Sequence, residues 1–260
     1  MHSSLKSEDL LTFVPNEIMD IQQDWFTSWF NTPYYHILYK NRNDKDAQFF
    51  MRNITNFLKL KQGSTIADVP CGKGRHSVYL NSLGYTVRGG DLSSNSIAFA
   101  QQFANETLQF EVWDMRKPIQ NSYDAIFNLF TSFGYFENDE EDILILQNFK
   151  NGLAKEGVFV LDFLNVHKVA NHLVAKEVKE IDDIEFHITK EIKDGFILKH
   201  INFVAEKQKH AYTEHVKFLT LPKMQHFFAK AGLTITHVFG DYSLQPFHEE
   251  TSDRLILVAQ

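Results

Sequence analysis

The sequence predicts an α/β fold built on a doubly wound sheet, and three observations support this prediction. Short apolar runs alternate with helical patterns between residues 64 and 164. Strands that are buried on both faces of a parallel sheet have such near-continuous apolar runs. Several runs end on an acidic residue, and the first is followed directly by a glycine loop. We therefore expect the polar strand ends to meet at one edge of the sheet.

The individual elements follow from local signals. The predicted strands are residues 66–68, 86–91, 108–113, 123–130, 157–164, 233–239 and 254–259. The predicted helices begin at Asp44, Arg75, Ser93 or Ser94, the acidic run 138–142, and Leu221. Gly84 ends the helix that follows the glycine loop, because glycine suits the left-handed position after a helix. Acids in a first turn stabilise a helix start through its dipole.

The glycine loop is the most informative segment. Residues 66–77 give a buried strand, then Gly72 and Gly74, then a helix start. Such a turn gathers free backbone N–H groups and the positive end of a helix dipole, where the polar end of a cofactor can bind. By itself the loop is a weak signal, and a plain strand-to-helix turn is the open alternative.

Acidic residues close the following strands. Asp91 lies 91 − 72 = 19 positions after Gly72, close to the ~20-residue offset at which a carboxylate meets a ribose diol in nucleotide-binding α/β folds. A carboxylate there can accept hydrogen bonds from both ribose hydroxyls. Asp114 ends the next strand and is followed by Met115.

At these residues the chain resembles the class I S-adenosylmethionine-dependent methyltransferases, over residues 64–164 and the C-terminal end. The first motif of that family, an acid followed by three alternating glycines, is similar to residues 68–74. Pro70 stands at the first glycine and has no N–H to donate. The resemblance implies S-adenosylmethionine as cofactor. It implies cofactor contacts from Asp68, Pro70, Cys71, Gly72, Gly74, Arg75, Asp91, Leu92, Asp114, Met115, Leu129 and Phe130.

The resemblance assigns roles to some of these residues. Asp91 matches the ribose-binding acid, and Asp114 with Met115 resembles the pair beside the adenine. Arg75 can orient a carboxylate of cofactor or substrate, with an ordinary surface arginine as the alternative. Aromatic faces after the fourth strand, such as Phe130, can attract the sulfonium cation by about 0.5 to 2 kcal/mol.

The family resemblance also implies the arrangement of the whole chain. We expect one methyltransferase domain with a seven-stranded Rossmann-like sheet whose last strand is antiparallel. Its predicted segments are an N-terminal helical cap or lid (1–60), a cofactor-binding core (61–170), an antiparallel insertion (171–220) and C-terminal core elements (221–260). Alternating strands around the turn at Asp194 and Gly195 predict the small β-sheet of the insertion. It can also form a dimer contact, so monomer and homodimer both stay open.

Aromatic residues are the candidate substrate contacts. They are Tyr34, Tyr35, Tyr39, Phe133, Tyr135 and Tyr212. For each of them, packing in the core or on the surface is the alternative. His36, His76 and Tyr135 are candidate general bases, but none has a partner spacing that distinguishes it.

Composition limits the partners. With 26 basic and 33 acidic residues the net charge is −7, and no long basic run is present. A nucleic-acid partner is therefore disfavoured and a small-molecule substrate favoured. The Asp-Pro-Pro-Tyr type of motif for DNA amino methylation is absent where residues 128–131 stand.

The number of cysteines, the apolar stretches and the spacing of the histidines indicate the cellular location and whether a metal is bound. The single cysteine and the lack of a long apolar stretch predict a cytoplasmic protein without a membrane partner. Cys71 is read as a small loop residue, not a nucleophile. No histidine pair has zinc-site spacing, so we expect no metal.

Two alternatives to a methyltransferase of small molecules remain. An NAD-dependent Rossmann oxidoreductase would use Asp91 equally well. However, this chain lacks the third glycine of the fingerprint of that class, and Asp114 would have no role in such an enzyme. A non-catalytic scaffold that binds the cofactor is the other. For the methyltransferase, the expected chemistry is in-line displacement at the methyl carbon, dominated by positioning.

Overall fold

The computed structural model describes residues 25–40 and 44–260, so residues 1–24 and 41–43 of the predicted N-terminal cap lie outside the described residues. The helices are α1 (Trp25–Phe30), α2 (Pro33–Leu38), α3 (Asp44–Phe57), α4 (Arg75–Ser82), α5 (Ser94–Ala100), α6 (Asp139–Asn151), α7 (Val166–Asn171) and α8 (Leu221–Lys230). The strands are β1 (Thr65–Asp68), β2 (Thr86–Asp91), β3 (Leu108–Val112), β4 (Tyr123–Asn128), β5 (Leu153–Leu164), β6 (Lys176–Ile181), β7 (Ile184–Lys193), β8 (Phe196–Ala205), β9 (Gln208–Lys217), β10 (Ile235–Phe239) and β11 (Arg254–Ala259).

Seven strands form a mixed sheet in the order β10-β11-β5-β4-β1-β2-β3. The five strands from β1 to β5 run parallel, whereas β11 is antiparallel to both β5 and β10. The chain reverses direction in the sheet between β1 and β4, which leaves a crevice beyond their carboxyl ends. The prediction of a doubly wound sheet with an antiparallel last strand is confirmed.

Helix ends follow the predicted signals. Ser93 caps α5, since its side chain accepts a hydrogen bond from the N–H of Ser96. Gly84 has a φ of +91°, the left-handed conformation that ends a helix. The N-cap of α4 is Gly74, which has no side chain to accept a hydrogen bond and so leaves the first N–H groups of this helix near the loop after β1.

The fourth strand is shorter than predicted. It ends at Asn128 and not at residue 130, because Phe130 and Thr131 have φ values of 58° and 64° and leave the extended conformation. The fifth strand starts earlier, at Leu153. Apolar pattern alone does not detect such a turn, because phenylalanine and threonine are ordinary strand residues.

Two packed layers cover the large sheet. Phe50 and Ile54 of α3 lie on one face with Leu80 of α4, all fully buried. Phe149 of α6 and Phe228 of α8 lie on the other face. Burying each such side chain contributes roughly 1.5 to 3 kcal/mol, so the layers fix the sheet and with it the strand ends.

The predicted insertion is a four-stranded antiparallel sheet in the order β6-β7-β8-β9. Its first strand was not predicted, because lysine and glutamate occupy most positions of β6 and leave little apolar alternation. At the other edge, the backbone N–H of Lys217 donates to the carbonyl of Gly134 at 2.8 Å. The buried ammonium of Lys217 also lies 2.6 Å from Asp142 of α6. The insertion is thereby attached to the core beside the sheet.

Helices α1 and α2 lie between the insertion and the large sheet. The ring of Trp29 packs 4.5 Å from that of Tyr212, centroid to centroid. The ring of Phe26 packs 5.4 Å from that of Phe136, on the loop after β4. In the part of the chain that the structure describes, no helix is both long and apolar enough to cross a membrane.

Candidate active site

A cavity of about 370 Å³ lies beyond the carboxyl ends of β1, β2, β3 and β4, under α1 and α2. Its lining combines the loops after these strands with the two short helices. The lining residues are Phe26, Phe30, Tyr35, His36, Tyr39, Lys40, Asp44, Val69, Pro70, Cys71, Gly72, Lys73, Arg75, His76, Asp91, Leu92, Ser96, Trp113, Asp114, Met115, Leu129, Phe130, Ser132, Tyr135 and Phe136. Ten of the twelve residues predicted to contact a cofactor are therefore gathered around one space.

The glycine loop has an open side and a packed side. Gly72 has a φ of +56°, and a Cβ at this position would meet no atom of residues 25–40 and 44–260 within 4 Å. Gly74 has a φ of +83°, and a Cβ there would lie 2.7 Å from the ring of Phe110. Gly72 thus leaves room on the cavity side, whereas Gly74 lets the loop lie against β3 without lining the cavity.

Asp91 ties the end of β2 to the glycine loop. Its Oδ2 accepts the N–H of Gly72 and its Oδ1 accepts the N–H of Ser93, both at 2.8 Å. Burial raises the pKa of Asp91, and these two hydrogen bonds partly offset the effect. The carboxylate is therefore fixed in place, with further lone pairs for ligand hydroxyls.

Asp68 lies beneath the loop and does not line the cavity. It is fully buried, and its Oδ2 accepts the hydroxyl hydrogen of Ser77 at 2.6 Å. Among the described residues its Oδ1 has no hydrogen-bond partner. Burial raises the pKa of Asp68 to about 7, and the nearby charge of Asp91 adds to this effect. This position supports the loop from below.

Asp114 is held by a neighbouring arginine. Arg116 donates from Nε to Oδ1 at 2.9 Å and from Nη2 to Oδ2 at 2.8 Å. Burial acts to raise the pKa of Asp114, but the bonds from Arg116 outweigh it, so the pKa lies below its ordinary value. The group is ionised and can accept a further donor from a ligand.

Cys71 is a buried loop residue. Its thiol lies 3.5 Å from the carbonyl oxygen of Gly72. Burial raises the pKa of Cys71 well above its ordinary value. A protonated thiol is a poor nucleophile, so this cysteine is unsuited to covalent catalysis.

Phe130 presents its ring to the cavity from a left-handed backbone position. The ring stacks on that of His76 at 4.7 Å, and the guanidinium of Arg75 lies 4.7 Å from its centroid. The backbone N–H of Phe130 donates to Asp162 at 2.9 Å, and Arg254 donates to the other oxygen of Asp162 at 2.7 Å.

Sequence reasoning missed the pair behind Phe130. Asp162 is fully buried in β5 and Arg254 starts β11. The available signal was an acid inside the apolar run 158–164, since a buried carboxylate requires a partner.

The aromatic residues predicted as substrate contacts fall into two groups. Tyr35, Tyr39 and Tyr135 line the cavity. The others do not line it: Phe133 is fully buried in the core, while Tyr34 and Tyr212 pack against the ring of Phe203 in the insertion. Phe26, Phe30 and Trp113 also line the cavity, although they were not among the predicted contacts.

A family model described as a methyltransferase domain matches residues 60–218. The glycine/sarcosine N-methyltransferase of Halorhodospira halochloris is 29% identical over 138 residues, which cover 51% of this chain and 50% of that protein. The chain spans half or less of the length of the first curated relatives that it matches.

Solved structures share the fold. An S-adenosylmethionine-dependent methyltransferase from Clostridium acetobutylicum ATCC 824 has a TM-score of 0.74 at 16% identity, over 87% of this chain and 95% of that one. CalS10, an amino pentose methyltransferase from Micromonospora echinaspora solved with its cofactor bound, has a TM-score of 0.67 at 17% identity. That match covers 88% of this chain and 96% of the other.

Proposed function

The chain belongs to the class I S-adenosylmethionine-dependent methyltransferases, and from that premise we propose that it methylates an amine nitrogen of a small molecule. The observation that carries the proposal is the composition of the cavity. The ends of β2 and β3 contribute the fixed carboxylates of Asp91 and Asp114 to its lining, whereas α1, α2 and the loop after β4 contribute aromatic rings. We further propose that the chain acts as one methyltransferase domain, with cap and insertion on the acceptor side.

The carboxylates suit the cofactor. Asp91 would accept the ribose hydroxyls, and Asp114 with Met115 would border the adenine. The open space beside Gly72 leaves room for the cofactor at the point where the loop backbone faces the cavity. The volume of about 370 Å³ lies in the range of small-molecule sites, roughly 300 to 1,000 Å³.

The aromatic rings suit a nitrogen acceptor. When bound, S-adenosylmethionine supplies a methyl group activated by its sulfonium. A neutral amine attacks with its lone pair and becomes an ammonium, so no base has to act during the transfer itself. Aromatic faces such as those of Phe30, Tyr35 and Tyr135 attract such a cation by about 0.5 to 2 kcal/mol. The glycine/sarcosine N-methyltransferase and the amino pentose methyltransferase described above are named for acceptors that carry an amine, which supports the same class of acceptor here.

Positioning is the main contribution of the protein. Well-oriented reactants gain up to roughly 7 to 11 kcal/mol over free ones. Helices α1 and α2 cover the cavity, so Phe26, Phe30 and Tyr39 would keep water away from the acceptor. A small acceptor fits this enclosed space better than a nucleic acid would.

One residue of the loop argues against a nicotinamide-dependent oxidoreductase. The third glycine of that fingerprint allows close packing of helix and strand. Here Ser77 occupies this position, and its hydroxyl is bonded to Asp68 below the loop.

Calorimetry and methyl transfer test the proposal. We expect S-adenosylmethionine and S-adenosylhomocysteine to bind, and NAD not to bind. With tritiated cofactor, we expect label to pass to amines such as glycine, sarcosine or an amino sugar. Transfer only to phenols or carboxylates contradicts the amine acceptor. Binding without transfer to any acceptor contradicts the enzyme and supports a cofactor-binding scaffold.

A further inference from the structure

Glu214 of the insertion binds both short helices over the cavity. Its Oε1 accepts the indole N–H of Trp29 at 2.8 Å and the hydroxyl hydrogen of Tyr39 at 2.7 Å. Trp29 belongs to α1, and Tyr39 is the C-cap of α2. One carboxylate therefore fixes two helices that lie far from it in the sequence.

Tyr39 connects this network to the cavity. It lines the cavity, whereas Glu214 and Lys199 do not. The ammonium of Lys199 donates to the Tyr39 hydroxyl at 2.5 Å and lies 4.5 Å from its ring centroid. Two groups of the insertion thus hold the hydroxyl, which sets the orientation of the ring in the wall.

Joining two segments through charged groups that are largely buried requires free energy of desolvation. The side chains of Lys199 and Glu214 are only 15% and 14% exposed. Burial lowers the pKa of Lys199, against the opposing effect of the Glu214 charge. Apolar side chains would join the segments at lower cost. A buried polar network beside a cavity is expected where a precise orientation matters.

We infer that Glu214 is a positioning residue for the methyl acceptor, acting through Tyr39, which lines the cavity, while its bond to the buried Trp29 holds α1 in place. The inference rests on the proposed function and assigns a role to the insertion. It separates acceptor binding from cofactor binding: removing Glu214 changes acceptor binding, while the contacts of Asp91 to the glycine loop stay intact.

Three variants test the inference, with sarcosine as the probe amine. In Glu214→Ala we expect the KM for sarcosine to rise at least tenfold, while the Kd for S-adenosylhomocysteine changes less than threefold. Glu214→Gln keeps an oxygen acceptor for Trp29 and Tyr39, so its KM for sarcosine should stay close to that of the wild type. Glu177→Ala is the matched control, because Glu177 pairs with Lys190 at 2.7 Å in the same insertion but not with α1 or α2.

Amide exchange gives a readout that needs no acceptor. In Glu214→Ala we expect faster exchange in α1 and α2, with α4 and β1 unchanged. A KM like that of the wild type, an equal loss in Glu177→Ala, or an equal loss of S-adenosylhomocysteine binding would overturn the inference. If the wild type methylates no amine, the proposed function fails, and unchanged exchange in α1 and α2 then overturns the role of Glu214 separately.

Discussion

Asp162 in β5 accepts the backbone N–H of Phe130 at 2.9 Å and so fixes a residue 32 positions earlier at the cavity wall. Phe130 and Thr131 both have left-handed φ values, which cost of order 1 to 3 kcal/mol each for residues of this kind. Arg254 bonds Asp162 and also Thr131, at 3.0 Å. The pair of the buried Asp162 and the partly buried Arg254 therefore stabilises a strained turn that directs an aromatic ring into the cavity.

Removing the charge of Asp162 should destabilise the protein. In Asp162→Asn, the partly buried guanidinium of Arg254 loses its carboxylate, which costs less than the roughly 3 to 5 kcal/mol of breaking a fully buried pair. Urea denaturation measures the free energy of unfolding. The double variant with Arg254→Met removes both charges and should lose less than the sum of the two single variants; strictly additive losses would show that the pair is not coupled.

Asp91→Ala should weaken binding of S-adenosylhomocysteine by about 1 to 3 kcal/mol, or roughly 5- to 150-fold. The variant loses the acceptor for ligand hydroxyls and the bond to the N–H of Gly72. Calorimetry measures the Kd. Glu111→Ala on the neighbouring strand is the control, since Glu111 pairs with Arg88 at 3.1 Å and does not line the cavity. An unchanged Kd in Asp91→Ala would contradict the proposal that Asp91 binds the ribose hydroxyls.

The two loop glycines should respond differently to alanine. Both have left-handed φ values, so each substitution costs about 1 to 2 kcal/mol of stability. Gly74→Ala also places a Cβ 2.7 Å from Phe110, and overpacking adds about 1 to 3 kcal/mol. In Gly72→Ala the Cβ would have no atom of the described residues within 4 Å, so this substitution should mainly reduce cofactor affinity. Thermal denaturation and calorimetry on both variants check this, and equal losses of stability would contradict it.

Stability should depend on pH through Asp68. Its pKa is raised by burial from an ordinary value near 4 to about 7, so between these values the folded state binds more protons than the unfolded state. The contribution of Asp68 is therefore fully present below about pH 4 and is lost as the pH rises through about 7. Three pKa units correspond to roughly 4 kcal/mol at most.

Comparison with Asp68→Asn isolates this effect. The variant has no titrating group at the position, so its free energy of unfolding should fall less between pH 4 and 8 than that of the wild type. Denaturant titrations at several pH values measure the two slopes without ligand. Parallel curves would mean that the pKa of Asp68 is the same in the folded and the unfolded protein.

Much of the fold was predictable because its signals are local. Apolar runs, the glycine at position 84 and the turn at Asp194 and Gly195 act between residues close in the chain. The edge strand β6 was not predicted, since lysine and glutamate occupy most of its positions and its two apolar residues, Val178 and Ile181, do not alternate at strand spacing. The turn at Phe130 was not predicted either, because a distant carboxylate stabilises it.

The sequence by itself determined the α/β fold, the family and the cofactor, since spacing within the loop and the acids at strand ends are properties of neighbouring residues. Only the tertiary structure decided which aromatic residues line the cavity. Tyr34 and Tyr39 lie on the same short segment, yet Tyr34 faces Phe203 and Tyr39 faces the cavity. The contact that orients Tyr39 comes from Glu214, 175 positions away. A partner at that distance is set by the packing of separate elements, and no local pattern in the chain encodes it.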